Sequence, residues 1–178
     1  MEGLTNNFVV AAWIKPYSTL YGQNMTIIGA DPGNDSDGFV FKTVGTQFAL
    51  SLPGVQDYQT VSAGLQSGIW THVAAHIRSD NAVDFYKNGR LIRTVTGSSP
   101  AIADSNDALS IGALAAGSDP FEGLIDEVAI VSGSLSGAEL NALMGLAPTI
   151  HLPFDQRGMG DGSWIDDTAG MGGSARFD

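Results

Sequence analysis

The 178 residues suit one domain of roughly the usual 150-residue size, and 43 % hydrophobic against 15 % charged residues excludes wholesale disorder. Eight Lys plus Arg against nineteen Asp plus Glu give a net charge of −11, so no nucleic acid or anionic membrane surface is expected as a partner. No apolar run approaches the ~20 residues that span a bilayer, so no membrane insertion is expected, and Met1-Glu2-Gly3 opens the sequence without the features of a signal peptide.

Strand-like runs follow one another at short intervals. Residues 8–14 are apolar on both faces, the pattern of a central strand, and Pro16 is placed to end it. Runs at 26–30, 39–43 and 47–52 come next, separated by Asp31-Pro32-Gly33-Asn34-Asp35-Ser36-Asp37-Gly38 and by Gly45. The run at 70–78 is the longest. Runs at 83–87 and 91–95 flank Asn88-Gly89, the strongest short hairpin signal, because both residues tolerate positive φ. Runs at 109–113 and 124–131 complete the main series.

One helix is legible, over 137–144. Ser136-Gly137-Ala138-Glu139 has the form of a capping box, and Leu135 with Leu140 has the spacing of a hydrophobic staple. Leu140, Leu143 and Met144 form its apolar stripe, and Gly145 is placed to end it. Such a short helix is expected to seal one edge of a sandwich.

The last thirty residues differ in character. Residues 150–155 read as an edge strand with Pro153 at a position that donates no ladder bond, a Gly-rich loop follows, and 174–177 reads as a final strand. Phe154, Trp164, Ile165 and Phe177 each gain ~1.5–3 kcal/mol by burial, so the tail is expected to dock. Twenty-three Gly, seven Pro and fifteen Asp against four Glu agree with strands joined by many turns. The expected fold class is all-β, an antiparallel β-sandwich with one short helix. The absence of Cys excludes disulfides, thiolate metal sites and cysteine nucleophiles without setting the compartment.

Five motifs in fixed order carry a resemblance. Phe8 to Pro16 reads FVVAAWIKP, Trp70 to Ala74 reads WTHVA, Tyr86 to Gly89 reads YKNG, Phe121 to Val128 reads FEGLIDEV, and Leu135 to Leu143 carries the helix signature. Together they resemble the laminin G-like, concanavalin A-like jelly-roll family over residues 8–146. The family's usual opening segment is missing in front and reappears behind, as His151-Leu152-Pro153-Phe154-Asp155, Asp166-Asp167-Thr168-Ala169-Gly170 and Ala175-Arg176-Phe177-Asp178. The chain thus resembles a single domain (1–147 the main body, 148–178 the opening strands) cut out of register from a tandem repeat, or a circular permutant. The tail is expected to fill the vacant place in its own sheet, or as a swapped strand in another copy, giving a monomer or a strand-swapped homo-oligomer.

The resemblance implies one calcium ion, held by Asp126 and Asp167 with Asp166 as the alternate. Calcium takes six to eight oxygens, so two carboxylates are part of a shell, and the competing reading makes Asp126 a cap of backbone amides and 166–167 a turn. Asp31, Asp35 and Asp37 crowd carboxylates into one loop, a possible second metal loop that lacks the full spacing and distal Glu of an EF-hand and reads more simply as a hairpin connection. Tyr17, Tyr21 and Tyr58 fall in expected loops and are candidate sugar platforms, core or loop packing being the alternative.

Catalysis finds little support. Glu122 and Asp126 on one extended strand stand about 13 Å apart, against ~5–9.5 Å for glycosidase carboxylates. Gly133-Ser134-Leu135-Ser136-Gly137 places Leu where a serine nucleophile belongs. His72 and His76, about 13 Å apart on a strand, are too far apart to share an ion. The expected function is non-catalytic extracellular or cell-surface recognition of a carbohydrate or cell-surface ligand, calcium-stabilised, within a larger protein. The alternatives are an adhesin spacer joined by strand complementation and, least supported, a polysaccharide-active enzyme.

Overall fold

The structure, a computed structural model, describes residues 7–20, 22–30, 38–60, 62–97, 109–114 and 117–145, with the backbone of 164–166 and 174–176. The strands are β1 (Phe8–Pro16), β2 (Asn24–Ala30), β3 (Phe39–Val44), β4 (Gln47–Leu52), β5 (Gln56–Gln59), β6 (Thr71–Ile77), β7 (Ala82–Lys87), β8 (Arg90–Thr96), β9 (Ser110–Ile111) and β10 (Gly123–Ser132). Helix α1 (Gly137–Gly145) follows, then β11 (Trp164–Asp166) and β12 (Ser174–Arg176). Two five-stranded antiparallel sheets, ordered β10-β1-β6-β7-β8 and β5-β4-β3-β2-β9, form a β-sandwich.

Period-two alternation builds the core between them. Phe8, Val10, Ala12 and Ile14 of β1 face Phe39 and Phe41 of β3, Phe48 and Leu50 of β4, and Ile28 of β2, all fully buried. Aromatic edges interlock there: Phe8 meets Phe39 with centroids 5.4 Å apart, and Phe48 meets Phe85 at 5.6 Å. The two-faced apolarity of β1 has its cause in its place. It lies between β10 and β6, with its even residues in the core and Val9 and Ala11 beneath α1.

The turn at Asn88-Gly89 takes φ of 46° and 72°, the left-handed pair that a two-residue hairpin requires. The helix cap also forms as its residues dictate. Ser136 N–H donates to Glu139 Oε2 at 2.8 Å, and Glu139 N–H donates to Ser136 Oγ at 3.3 Å. The helix lies on a sheet face, however, not along an edge. Leu140 is buried on Val9, Ala11 and Ala74, whose short side chains leave room for a helix to approach the two central strands.

Two further expectations change. β6 is shorter than the 70–78 run, and the longest strand is β10. A strand, β5, occupies 56–59, where only Tyr58 points into the core, so that polar segment carries no apolar alternation to betray it. In the tail, β12 occupies 174–176 and pairs antiparallel with β11, Trp164 opposite Arg176; the two form a separate two-stranded sheet. The expected strand at 150–155 lies outside the described residues.

Candidate functional site

Each sheet has one face in the core and one turned outward, and the two outward faces differ. That of the β1-containing sheet is occupied by α1 over Val9, Ala11 and Ala74. On the other sheet, one register row runs across all five strands: Ser110, Gly29, Val40, Ser51 and Asp57. Lys42 stands one pleat further along β3 on the same face, opposite Ala49.

A cleft of about 440 Å³ opens on this face. Val40 and Ser51 form its floor and Lys42 one end. One wall is the 53–55 turn between β4 and β5, closed by Val55 N–H donating to Leu52 O at 2.9 Å. The other wall is the 112–121 loop, with Leu114 and Asp119. That loop is tied to β2 by Thr26 N–H donating to Asp119 O at 2.8 Å and by Gly112 N–H donating to Ile27 O at 3.0 Å. Gly29 lets it come close, since a Cβ there would stand 3.1 Å from Leu114 Cδ2 and 3.2 Å from Phe39 O. The size falls within the ~300–1,000 Å³ of small-ligand sites.

The lining is mixed, with Val40 and the hydroxyl of Ser51 on the floor and charged groups around them. Ser51 is buried, and its Oγ has no hydrogen-bond partner among the described residues. An enclosed, unpaired hydroxyl costs about 1–3 kcal/mol, which a ligand hydroxyl can recover once the Ser51 side chain turns to another staggered rotamer. Asp57 and Asp119 bring carboxylate acceptors, and Lys42 brings an ammonium donor.

The residues singled out from the sequence stand elsewhere. Tyr58 is a correction: it lies on β5, is buried, and donates through its OH to Asn81 O at 3.4 Å, so it is a core residue bridging the sheets and no sugar platform. Tyr17 is 55 % exposed just beyond β1, where its carbonyl accepts from Ser67 Oγ at 2.6 Å, and it does not line the cleft. Tyr21 and the loop residues Asp31, Asp35 and Asp37 lie outside the described residues. Asp126 sits on β10 opposite Trp13, and its Oδ1 accepts from Glu127 N–H at 2.8 Å, where Glu127 takes φ of 46° beside a bulge. Asp167 lies outside the described residues, and of Asp166 the backbone alone is described, in β11. Among the described residues no three His, Cys, Asp or Glu side chains are grouped to hold a metal, and calcium takes six to eight oxygens.

His72 and His76 are structural. His72 is 1 % exposed, and burial pushes its pKa down to about 4. His76 Nε2 lies 3.1 Å from Asn7 Oδ1, and burial lowers its pKa against the opposing pull of Asp84. The sequence reading missed Ser51, Lys42, Asp57 and Asp119, since none belongs to a motif. The sole local hint is the alternation in 47–52, which turns Ser51 away from the core.

A family model described as the concanavalin A-like lectin/glucanases superfamily matches residues 2–141. Among solved structures, domain 4 of an extracellular arabinanase from Geobacillus stearothermophilus, in complex with arabinotriose, is 27 % identical with a TM-score of 0.60, covering 78 % of this chain and 66 % of that one. A putative carbohydrate binding protein from Bacteroides ovatus is 20 % identical with a TM-score of 0.63, covering 79 % and 42 %. The CBM40 of the Ruminococcus gnavus IT-sialidase, bound to alpha2,3 sialyllactose, is 17 % identical with a TM-score of 0.62, covering 78 % and 83 %. The last two share the fold. The chain spans 66 % and 42 % of the first two matched chains. No helix among the described residues is long and apolar enough to cross a membrane.

Proposed function

The chain belongs to the concanavalin A-like lectin/glucanases superfamily, and from that premise we propose that it is a non-catalytic carbohydrate-binding module of a larger secreted or surface protein. The cleft on the outward face of β2 to β5 is its ligand site. The observation that carries this reading is the unpartnered, enclosed hydroxyl of Ser51 at the floor of a 440 Å³ cleft flanked by Lys42, Asp57 and Asp119. Arabinotriose in the 27 % identical arabinanase domain supports it, as does the sialyllactose-bound CBM40 that shares the fold. A binding role also agrees with Ser136 Oγ, which donates to Glu139 Oε2 at 2.7 Å and serves a helix cap in place of a nucleophile's task. Calcium remains part of the proposal through Asp126, with its remaining ligands sought at 166–167.

The test is a glycan array on the purified chain, followed by calorimetry with the hits. Ser51→Val and Lys42→Ala are expected to weaken binding at least severalfold while the melting temperature stays within a few degrees. A folded protein that binds nothing on a broad array overturns the reading.

A second reading rests on β10. It is the terminal strand of its sheet, ten residues long, and no described strand pairs with its outer edge. An open edge of that length is a template for a further strand, from this chain's tail or from a neighbouring copy in a spacer assembly. Multi-angle light scattering decides it: dimers or chains growing with concentration favour complementation between copies, and a strict monomer opposes it.

A further inference from the structure

Resting on the carbohydrate reading, we infer that the cleft selects neutral, hydroxyl-rich sugars and rejects anionic ones. Among the described residues that line it, Lys42 is the single cation, whereas Asp57 and Asp119 bring two carboxylates, and the chain as a whole carries −11. Neither Asp57 nor Asp119 makes an ion pair among the described residues. A sialic or uronic acid carboxylate placed here meets two like charges and one opposite charge. Its own hydration is lost on entry, and a desolvated charge costs several kcal/mol unless it is paired. The planar, two-pronged partner that commonly compensates a carboxylate is an Arg, and none of the described Arg residues lines the cleft.

A neutral sugar meets no such penalty. Its hydroxyls donate to the carboxylates of Asp57 and Asp119, its oxygens accept from the Lys42 ammonium, and Ser51 Oγ, unpartnered and enclosed, donates and accepts once its side chain turns to the cleft. No aromatic ring lines the cleft among the described residues, so hydrogen bonds to hydroxyls, and not ring stacking, carry the recognition.

The experiment pairs matched ligands by calorimetry at fixed salt: galactotriose with trigalacturonate, and lactose with 3′-sialyllactose, alongside arabinotriose. The neutral ligands are expected to bind about tenfold or more tighter than their anionic partners. In the Asp57→Asn, Asp119→Asn double variant that ratio is expected to shrink severalfold, and added salt is expected to affect the anionic ligands less. Equal or tighter binding of an anionic member by the unaltered protein overturns the inference and leaves the carbohydrate reading standing. A ratio unchanged in the double variant also overturns it, since selection then does not come from these carboxylates. Binding of neither set by a folded protein overturns the carbohydrate reading and this inference with it.

Discussion

The Trp13 and His72 rings meet edge-on across the β1–β6 pair, with centroids 5.6 Å apart at directly opposed register positions. Trp13 Nε1 and His72 Nδ1 are both enclosed without a hydrogen-bond partner among the described residues. This corner therefore favours a neutral imidazole, which matches a pKa pushed down to about 4 by burial. The unfolded chain, with His near 6.5, binds the proton more readily than the folded one between those two values. Stability is then complete above pH 6.5 and falls as pH drops toward 4, by roughly 2–3 kcal/mol for this residue. Denaturant unfolding at pH 7 and pH 4.5 should show this loss in the unaltered protein and a smaller one in His72→Leu. Equal losses in the two proteins would show that His72 stays uncharged or is charged at no cost.

Gly89 in the β7–β8 turn combines φ of 72° with close contact to α1. A Cβ there would collide with Met144 Cε and stand 2.5 Å from Asn141 Oδ1. Gly89→Ala is expected to destabilise by about 2 kcal/mol through backbone strain and displaced helix contacts. Adding Met144→Ala should return part of that loss, because it removes the collision and leaves the strain. A thermal melt of the two variants separates the contributions, and no recovery in the double variant would leave strain as the whole cause.

Ser136→Ala removes the side-chain half of the reciprocal cap and is expected to cost about 1 kcal/mol. Because α1 covers one sheet and the cleft opens on the other, ligand affinity should stay unchanged. A variant that loses affinity while keeping its melting temperature would place the ligand near the helix and away from Ser51.

Calcium is expected to raise the melting temperature, with stabilisation following RT ln(1 + [L]/Kd), ~2.7 kcal/mol at a hundredfold excess. Asp126→Ala should remove the rise. A melt that ignores both calcium and chelator leaves Asp126 as the acceptor for Glu127 N–H at the β10 bulge and nothing more.

Local signals explain what could be read without coordinates. The Asn88-Gly89 turn and the Ser136–Glu139 cap each close within four residues, so their geometry follows from neighbours in the chain. The alternation of β1, β3 and β4 likewise marks core-facing positions, because a strand's period is set by its own backbone. β5 escaped notice since Tyr58 is its lone inward side chain, and a tyrosine among Gln and Asp reads as loop until it is seen opposite Leu50 of β4 and buried in the core.

The sequence by itself determined the all-β class, most of the strand series, the capped helix and the family, all of which depend on short-range pattern or ordered motifs. The cleft was decided by tertiary structure alone. Ser51 and Asp57 become neighbours of Val40 and Gly29 only through strand register, and the walls come from a turn at 53–55 and a loop some sixty residues later, held to β2 by Thr26 and Asp119. Which serine is left without a partner depends on everything packed around it, and no window of sequence contains that information.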